Sequence, residues 1–128
     1  MPVFKPVVVV VAYNRPRSLE RILHSLKRIR NATDVKLVIS IDNQAPDNYP
    51  VRDIATEFNW PHGEKEVIYQ EARLGLRNHI LQCAGLSQQY GSVIILEDDL
   101  YVSPYFYDYA VQALTYYTDD QEIAGISL

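Results

Sequence analysis

The sequence predicts an α/β fold: a Rossmann-like, three-layer α/β/α arrangement around a mostly parallel sheet. Three observations carry the prediction. Short β-branched runs alternate with amphipathic helical segments from one end of the chain to the other. The first run, Val7 to Val11, is unbroken valine, the composition of a strand covered on both faces. And 128 residues, 48% hydrophobic and 22% charged, suit one ordered globular domain spanning 1–128 and exclude wholesale disorder.

The elements follow in order. Pro6 to Tyr13 is the first strand, and Asn14 to Arg17 is a turn in which Pro16 opens a helix. Leu19, Ile22, Leu23, Leu26 and Ile29 recur at helical spacing and form one apolar stripe. Arg17, Arg21, Lys27, Arg28 and Arg30 lie mostly off it. Val35 to Ile41 is the second strand, ending in Asp42-Asn43. Gln44 to Pro50, with two prolines, is a loop. Val51, Ile54, Ala55 and Phe58 mark a short helix, which Trp60 to Gly63 breaks. Glu66 to Gln70 is the third strand. Leu76 to Tyr90 is a helix with Ile80, Leu81 and Ala84 inward and Gly91 as its stop. Ser92 to Leu96 is the fourth strand and runs into Glu97-Asp98-Asp99. Ser103 caps and Pro104 opens a further helix with a stripe of Phe106, Ala110, Leu114 and Tyr117. Glu122 to Leu128 is a fifth strand still in progress, so the chain reads as an incomplete domain, the amino-terminal part of something longer.

Composition narrows the function. A net charge of −4 argues against a general nucleic-acid partner. Cys83 is the only cysteine, which excludes an intrachain disulfide and a cysteine zinc cluster and suits a reducing compartment. The longest apolar run, Val7 to Tyr13, is about a third of the ~20 residues a membrane-spanning helix needs, and no cleavable signal peptide is evident. The expected location is cytoplasmic.

In parallel α/β sheets, ligands sit beyond the carboxyl ends of the strands. That rule singles out Tyr13 to Arg15, Asp42-Asn43 and Glu97 to Asp99. Three adjacent carboxylates repel one another, and a divalent cation such as Mg²⁺ or Mn²⁺ relieves the repulsion while leaving coordination sites for phosphate. Strand alternation puts Glu97 and Asp99 on one side and Asp98 on the other, and Asp99, furthest out, is the favoured ligand. The plainer reading is a solvated acidic turn. Asp42 can accept from a base N–H or a ribose hydroxyl, or cap a turn with Asn43. Arg15 can meet a phosphate or stack on a base, and Asn14 can cap the first helix. Neither G-x-G-x-x-G nor G-x-x-x-x-G-K-[ST] is present, which disfavours dinucleotide-binding and P-loop enzymes. Arg73 and Arg77 flank Gly75 near a helix start, which suits an anion or a solvated helix end equally. His24 and His79 read as helix-surface residues, His62 as a loop residue, and Cys83 as a small buried hydrophobe. Six tyrosines between Tyr101 and Tyr117 can pack the helix or line a sugar or base pocket.

Taken together, the stretches Val-Val-Val-Val-Val-Ala-Tyr-Asn-Arg-Pro16, Leu-Val-Ile-Ser-Ile-Asp42 and E-D-D-L-x-V-x-P-x-F from Glu97 resemble the start of GT-A-fold glycosyltransferases. The acidic stretch is most similar to the N-acetylglucosaminyltransferase I type. The resemblance implies transfer of a sugar, GlcNAc among the candidates, from a nucleotide-diphosphate donor, usually UDP-linked, with Mn²⁺ or Mg²⁺ as cofactor. It assigns Ala12, Asn14, Arg15, Asp42, Glu97 and Asp98 to the donor and Asp99 to the metal. Arg77 joins the donor set, because a basic residue near Arg-Leu-Gly-Leu-Arg-Asn78 can face the donor in the broader GT-A group. Residues 70–87 depart from the N-acetylglucosaminyltransferase I pattern. The catalytic base and acceptor half of such enzymes lie downstream of the acidic motif, so no base is assigned and the acceptor, a carbohydrate or glycoconjugate, is unspecified.

The alternative is a non-catalytic nucleotide-binding or interaction module of the same fold. A nucleotidyltransferase would want a glycine-rich basic loop after the first strand, and a phospho-acceptor receiver an acidic pair there. The chain has neither. An incomplete domain exposes a sheet edge, so a homo-oligomer is a further expectation.

Overall fold

In a computed structural model that describes residues 5–43 and 49–117, four strands form one sheet: β1 (Val7–Ala12), β2 (Leu37–Ile41), β3 (Lys65–Tyr69) and β4 (Val93–Glu97). Their order is β3-β2-β1-β4 and every pairing is parallel. Four helices lie between them, α1 (Pro16–Lys27), α2 (Tyr49–Glu57), α3 (Leu76–Ala84) and α4 (Ser87–Tyr90), and α5 (Phe106–Tyr116) follows β4.

The alternating sides of β1 seed two cores. Val8, Val10 and Ala12 pack with Leu37, Ile39 and Ile41 against α1, α2 and Tyr107 of α5. Val7, Val9 and Val11 pack with Val38 against Cys83 of α3, with Leu86 and Tyr90 at its margin. Helices thus cover both faces, which is the three-layer arrangement expected. Each valine of β1 is almost fully buried, because strands flank it on both sides and helices above and below.

Leu19, Ile22, Leu23 and Leu26 of α1 are buried, and Ile29 is buried just past the helix end. Trp60 is more than a helix breaker: its ring is buried and its Nε1 donates to the Val35 carbonyl at 2.7 Å. Lys65 satisfies the carboxyl end of α2, its Nζ donating to the Ala55, Thr56 and Phe58 carbonyls.

Several local expectations are corrected. Leu76 to Tyr90 is two helices, not one, with a tight turn at Gly85 and Leu86. Its inward face carries His79 and Cys83, while Leu81 and Ala84 are exposed. His79 turns inward because Ser40 on β2 offers its imidazole a partner. Tyr117 is exposed past the end of α5 rather than part of its stripe. The amino-terminal cap of α5 is Tyr105, and Ser103 acts one turn earlier, its hydroxyl accepting from the Tyr105 amide at 3.1 Å. Pro50 lies in the first turn of α2, not in a loop. The fifth strand expected over 122–128 lies outside the described residues, as does 44–48.

Candidate functional site

The first strands up to the switch point set the site. β1 pairs β2 on one side and β4 on the other, so the residues just beyond Ala12, Ile41 and Glu97 come together at one end of the sheet. There they border a cleft of about 350 Å³. Ala12, Asn14, Arg15, Asp42, Glu97, Asp98 and Asp99 all line it. Arg77 does not: it is exposed in the first turn of α3, and Arg73 lines the cleft in its place. The reason is Gly75, whose φ of +80° and ψ of 158° turn the chain sharply between the two arginines. Arg73, in the loop beyond β3, is held at the carboxyl end of the sheet.

Asp42 is almost fully buried. Its Oδ1 accepts from the Asn43 and Leu74 amides at 2.8 Å each, and its Oδ2 accepts from the Gly75 amide at 2.9 Å. The turn-capping role expected with Asn43 is therefore present, and it extends to the Leu74 and Gly75 amides. It borders the cleft and caps its own turn, and it also ties the Arg73 loop to the end of β2.

The acidic motif is a turn rather than a continued strand. β4 ends at Glu97, and the Leu100 amide donates to the Glu97 carbonyl at 3.2 Å. Asp98 is buried at this turn, whereas Glu97 and Asp99 are exposed. Burial pushes the Asp98 carboxyl above its ordinary range, and Asp99 adds to the rise; Arg15 and the Tyr13 amide oppose it. Arg15 Nη1 lies 3.8 Å from Asp99 Oδ2, both side chains more than half exposed, and Arg21 Nη2 donates to the Asp99 carbonyl at 3.2 Å. Behind the turn, the buried Ser25 hydroxyl accepts from the Val102 amide and donates to the Ile22 carbonyl. Asn14 does not cap α1: Arg15 holds the cap position, without a side-chain cap bond.

Four further residues, Val11, Tyr13, Leu76 and His79, complete the lining. Tyr13 and Arg73 stack, the guanidinium 4.8 Å from the ring centroid. His79 forms part of the wall from α3. Its Nε2 is 2.7 Å from Ser40 Oγ, which also accepts from Gln70 Nε2 at 3.2 Å. Burial lowers the His79 pKa, against a smaller opposing pull from Asp42. The tyrosines after the acidic motif do not line the cleft. The signal for Arg73 was present in the sequence: it lies in the loop directly after a strand, where the strand-end rule points. His79 carried no such signal, since its partner Ser40 is remote in sequence.

Carboxylates, two arginines and an aromatic ring thus share one cleft, which offers both signs of charge and a flat face. A sequence-family profile for Glycosyl transferase family 2 matches residues 7–127, and the chain belongs to that family. The GT-A fold is thereby shown, and the narrower likeness to the N-acetylglucosaminyltransferase I type is one of motif. No curated protein matches the sequence. Among solved structures, the chain is similar to S. aureus TarS 1–349, with a TM-score of 0.64 and 16% identity over 96% of this chain and 38% of that one. The same protein in complex with UDP aligns with a TM-score of 0.64 and 16% identity over 90% and 33%. Its complex with UDP-GlcNAc gives the same score and identity over 90% and 32%. At this identity the likeness shows the fold, and the chain spans only about a third of the length of these structures, 32% to 38%.

Proposed function

We propose that the cleft binds the nucleotide-diphosphate end of a sugar donor, UDP-linked, and that the chain is the donor-binding part of a metal-dependent glycosyltransferase. The observation that carries this reading is convergence: Arg15, Asp42 and the Glu97–Asp99 turn, remote in sequence, border one cleft at the switch point of a family 2 domain. TarS, similar in fold, is known in complex with UDP and UDP-GlcNAc, which supports UDP over other nucleotides and makes GlcNAc the sugar to test first.

The residues present fit a hard divalent cation. Asp99 and Glu97 offer exposed carboxylate oxygens, the donor type that Mg²⁺ and Mn²⁺ prefer. Among the described residues no group of three or more His, Cys, Asp or Glu side chains is arranged to hold a metal. A cation held there would draw its remaining ligands from substrate phosphates or water. Asp99 would hold it, and when bound it supplies neutralisation of the diphosphate leaving group. Arg15 and Arg73 add positive charge at the same rim, and the flat faces of Tyr13 and Arg73 suit stacking on a base.

A thermal-shift titration with UDP, with and without Mn²⁺ and with GDP as control, tests the reading. A ligand that binds only the folded protein raises the melting temperature by mass action. A rise that needs both UDP and Mn²⁺ supports it; no rise with UDP and Mn²⁺ together overturns it.

A further inference from the structure

Half of the chain's basic residues lie between positions 15 and 30: Arg15, Arg17, Arg21, Lys27, Arg28 and Arg30, six of twelve. Glu20 is the only acidic residue there, so the stretch carries +5 in a chain of net charge −4. The structure turns this excess outward. Leu19, Ile22, Leu23 and Leu26 face the core, and Arg17, Arg21 and His24 on the exposed side of α1 and Arg28 at its carboxyl cap recur at steps of four, three and four. Among the described residues none of Arg17, Arg28 and Arg30 pairs with a carboxylate.

The stripe is joined to a second exposed segment. Arg21 donates to the Asp99 carbonyl, and the Arg30 guanidinium lies 5.3 Å from the centroid of the Tyr105 ring. In that segment Leu100, Tyr101 and Tyr105 are 42%, 58% and 57% exposed. Arginines and large apolar or amphipathic side chains thus share one outward face, which begins at the rim of the cleft.

We propose that this face docks the protein on an anionic membrane surface. The arginines meet lipid phosphates, and the tyrosines with Leu100 settle at headgroup level, where amphipathic rings are favoured. A soluble polyanion would account for the arginines but not for an exposed leucine beside them. The negative remainder of the chain is repelled by the same surface, so the charge separation orients the protein. Docking does not depend on the donor reading. If both hold, the Arg15 side of the cleft rim faces the lipid, in reach of an acceptor carried on a lipid.

The test is co-sedimentation of the full-length protein with vesicles of phosphatidylcholine alone or with phosphatidylglycerol added, at low and high salt. Binding that needs phosphatidylglycerol and falls with salt is expected. Combining Arg17→Gln, Arg28→Gln and Arg30→Gln should weaken partitioning about a hundredfold, at roughly one elementary step of ~1 kcal/mol per cation. Lysine at the same three positions should keep it. Tyr101→Ser with Tyr105→Ser should weaken it with the charge intact. Absence of binding to phosphatidylglycerol vesicles, equal binding to neutral ones, or an unaffected triple glutamine variant would overturn the proposal. So would retention on heparin without vesicle binding, which would point to a soluble polyanion. The UDP and Mn²⁺ melting shift, measured on the triple variant, separates the two readings: a retained shift with lost vesicle binding supports docking as a separate function. Vesicle binding without any shift in the parent protein supports docking and sinks only the donor reading.

Discussion

Asp42 Oδ2 accepts the Gly75 amide at 2.9 Å, joining the end of β2 to the start of α3 across 33 residues of sequence. With the Leu74 amide on Oδ1, this buried carboxylate holds the loop that carries Arg73 at the edge of the cleft.

Asp42→Ala should therefore loosen the loop that carries Arg73. It strands the part-buried Asn43, Leu74 and Gly75 amides. An unsatisfied donor costs about 1–3 kcal/mol when fully buried and less where water reaches it, so the three together cost about as much as one or two buried donors. A loss of ~3 kcal/mol is expected in urea unfolding. A change below ~0.5 kcal/mol would mean that the loop does not depend on Asp42.

Gly75 adopts a backbone conformation that other residues rarely reach, and a Cβ there would touch nothing within 4 Å. Gly75→Ala should cost roughly 1–3 kcal/mol through backbone strain alone and weaken UDP binding by displacing Arg73. Gly91, at φ +88° and away from the cleft, is the control. Gly91→Ala should cost similar stability and leave UDP binding unchanged. Equal UDP affinity in the Gly75 variant would break the link between this turn and the site.

Arg73→Ala should lower UDP affinity by more than Arg77→Ala, since only Arg73 lines the cleft. Isothermal titration of both variants decides it. A larger loss at Arg77 would bear out the assignment of Arg77 to the donor that the sequence suggests.

His79 couples stability to pH. Its pKa is lowered in the folded protein by burial, so the unfolded chain binds the proton more readily. Stability is then fully present above the unfolded value of ~6.5 and is lost as pH falls from there toward the lowered folded pKa. The melting temperature should drop below about pH 6.5, and His79→Gln should flatten that drop. An identical pH profile in the variant would remove His79 as its source.

Asp99→Ala should abolish UDP binding that depends on Mn²⁺ while leaving the fold intact, because its side chain is about half exposed. Folding is checked by circular dichroism, binding by the melting shift. Undiminished Mn²⁺-dependent binding would remove Asp99 as the metal ligand.

The layers of the fold were legible because their signals are local. Five valines in a row read as a central strand, and β1 is buried on both faces between β2 and β4. The stripe of α1 followed from spacing alone. The places to look for a site were also legible, since a parallel sheet brings strand ends together whatever the side chains are. Hence Asn14, Arg15, Asp42 and the Glu97–Asp99 turn border one cleft.

What only the tertiary structure decided rests on contacts between distant segments. Periodicity placed Leu81 and Ala84 inward, but the hydroxyl of Ser40, 39 residues from His79, turned the other side of α3 to the sheet. Spacing could not choose between Arg73 and Arg77; a turn at Gly75, held by a carboxylate 33 residues earlier, did. A sequence window records which faces are apolar. It does not record which buried polar group will find a partner across the core, and that pairing fixes the orientation of the helix and loop that complete the cleft.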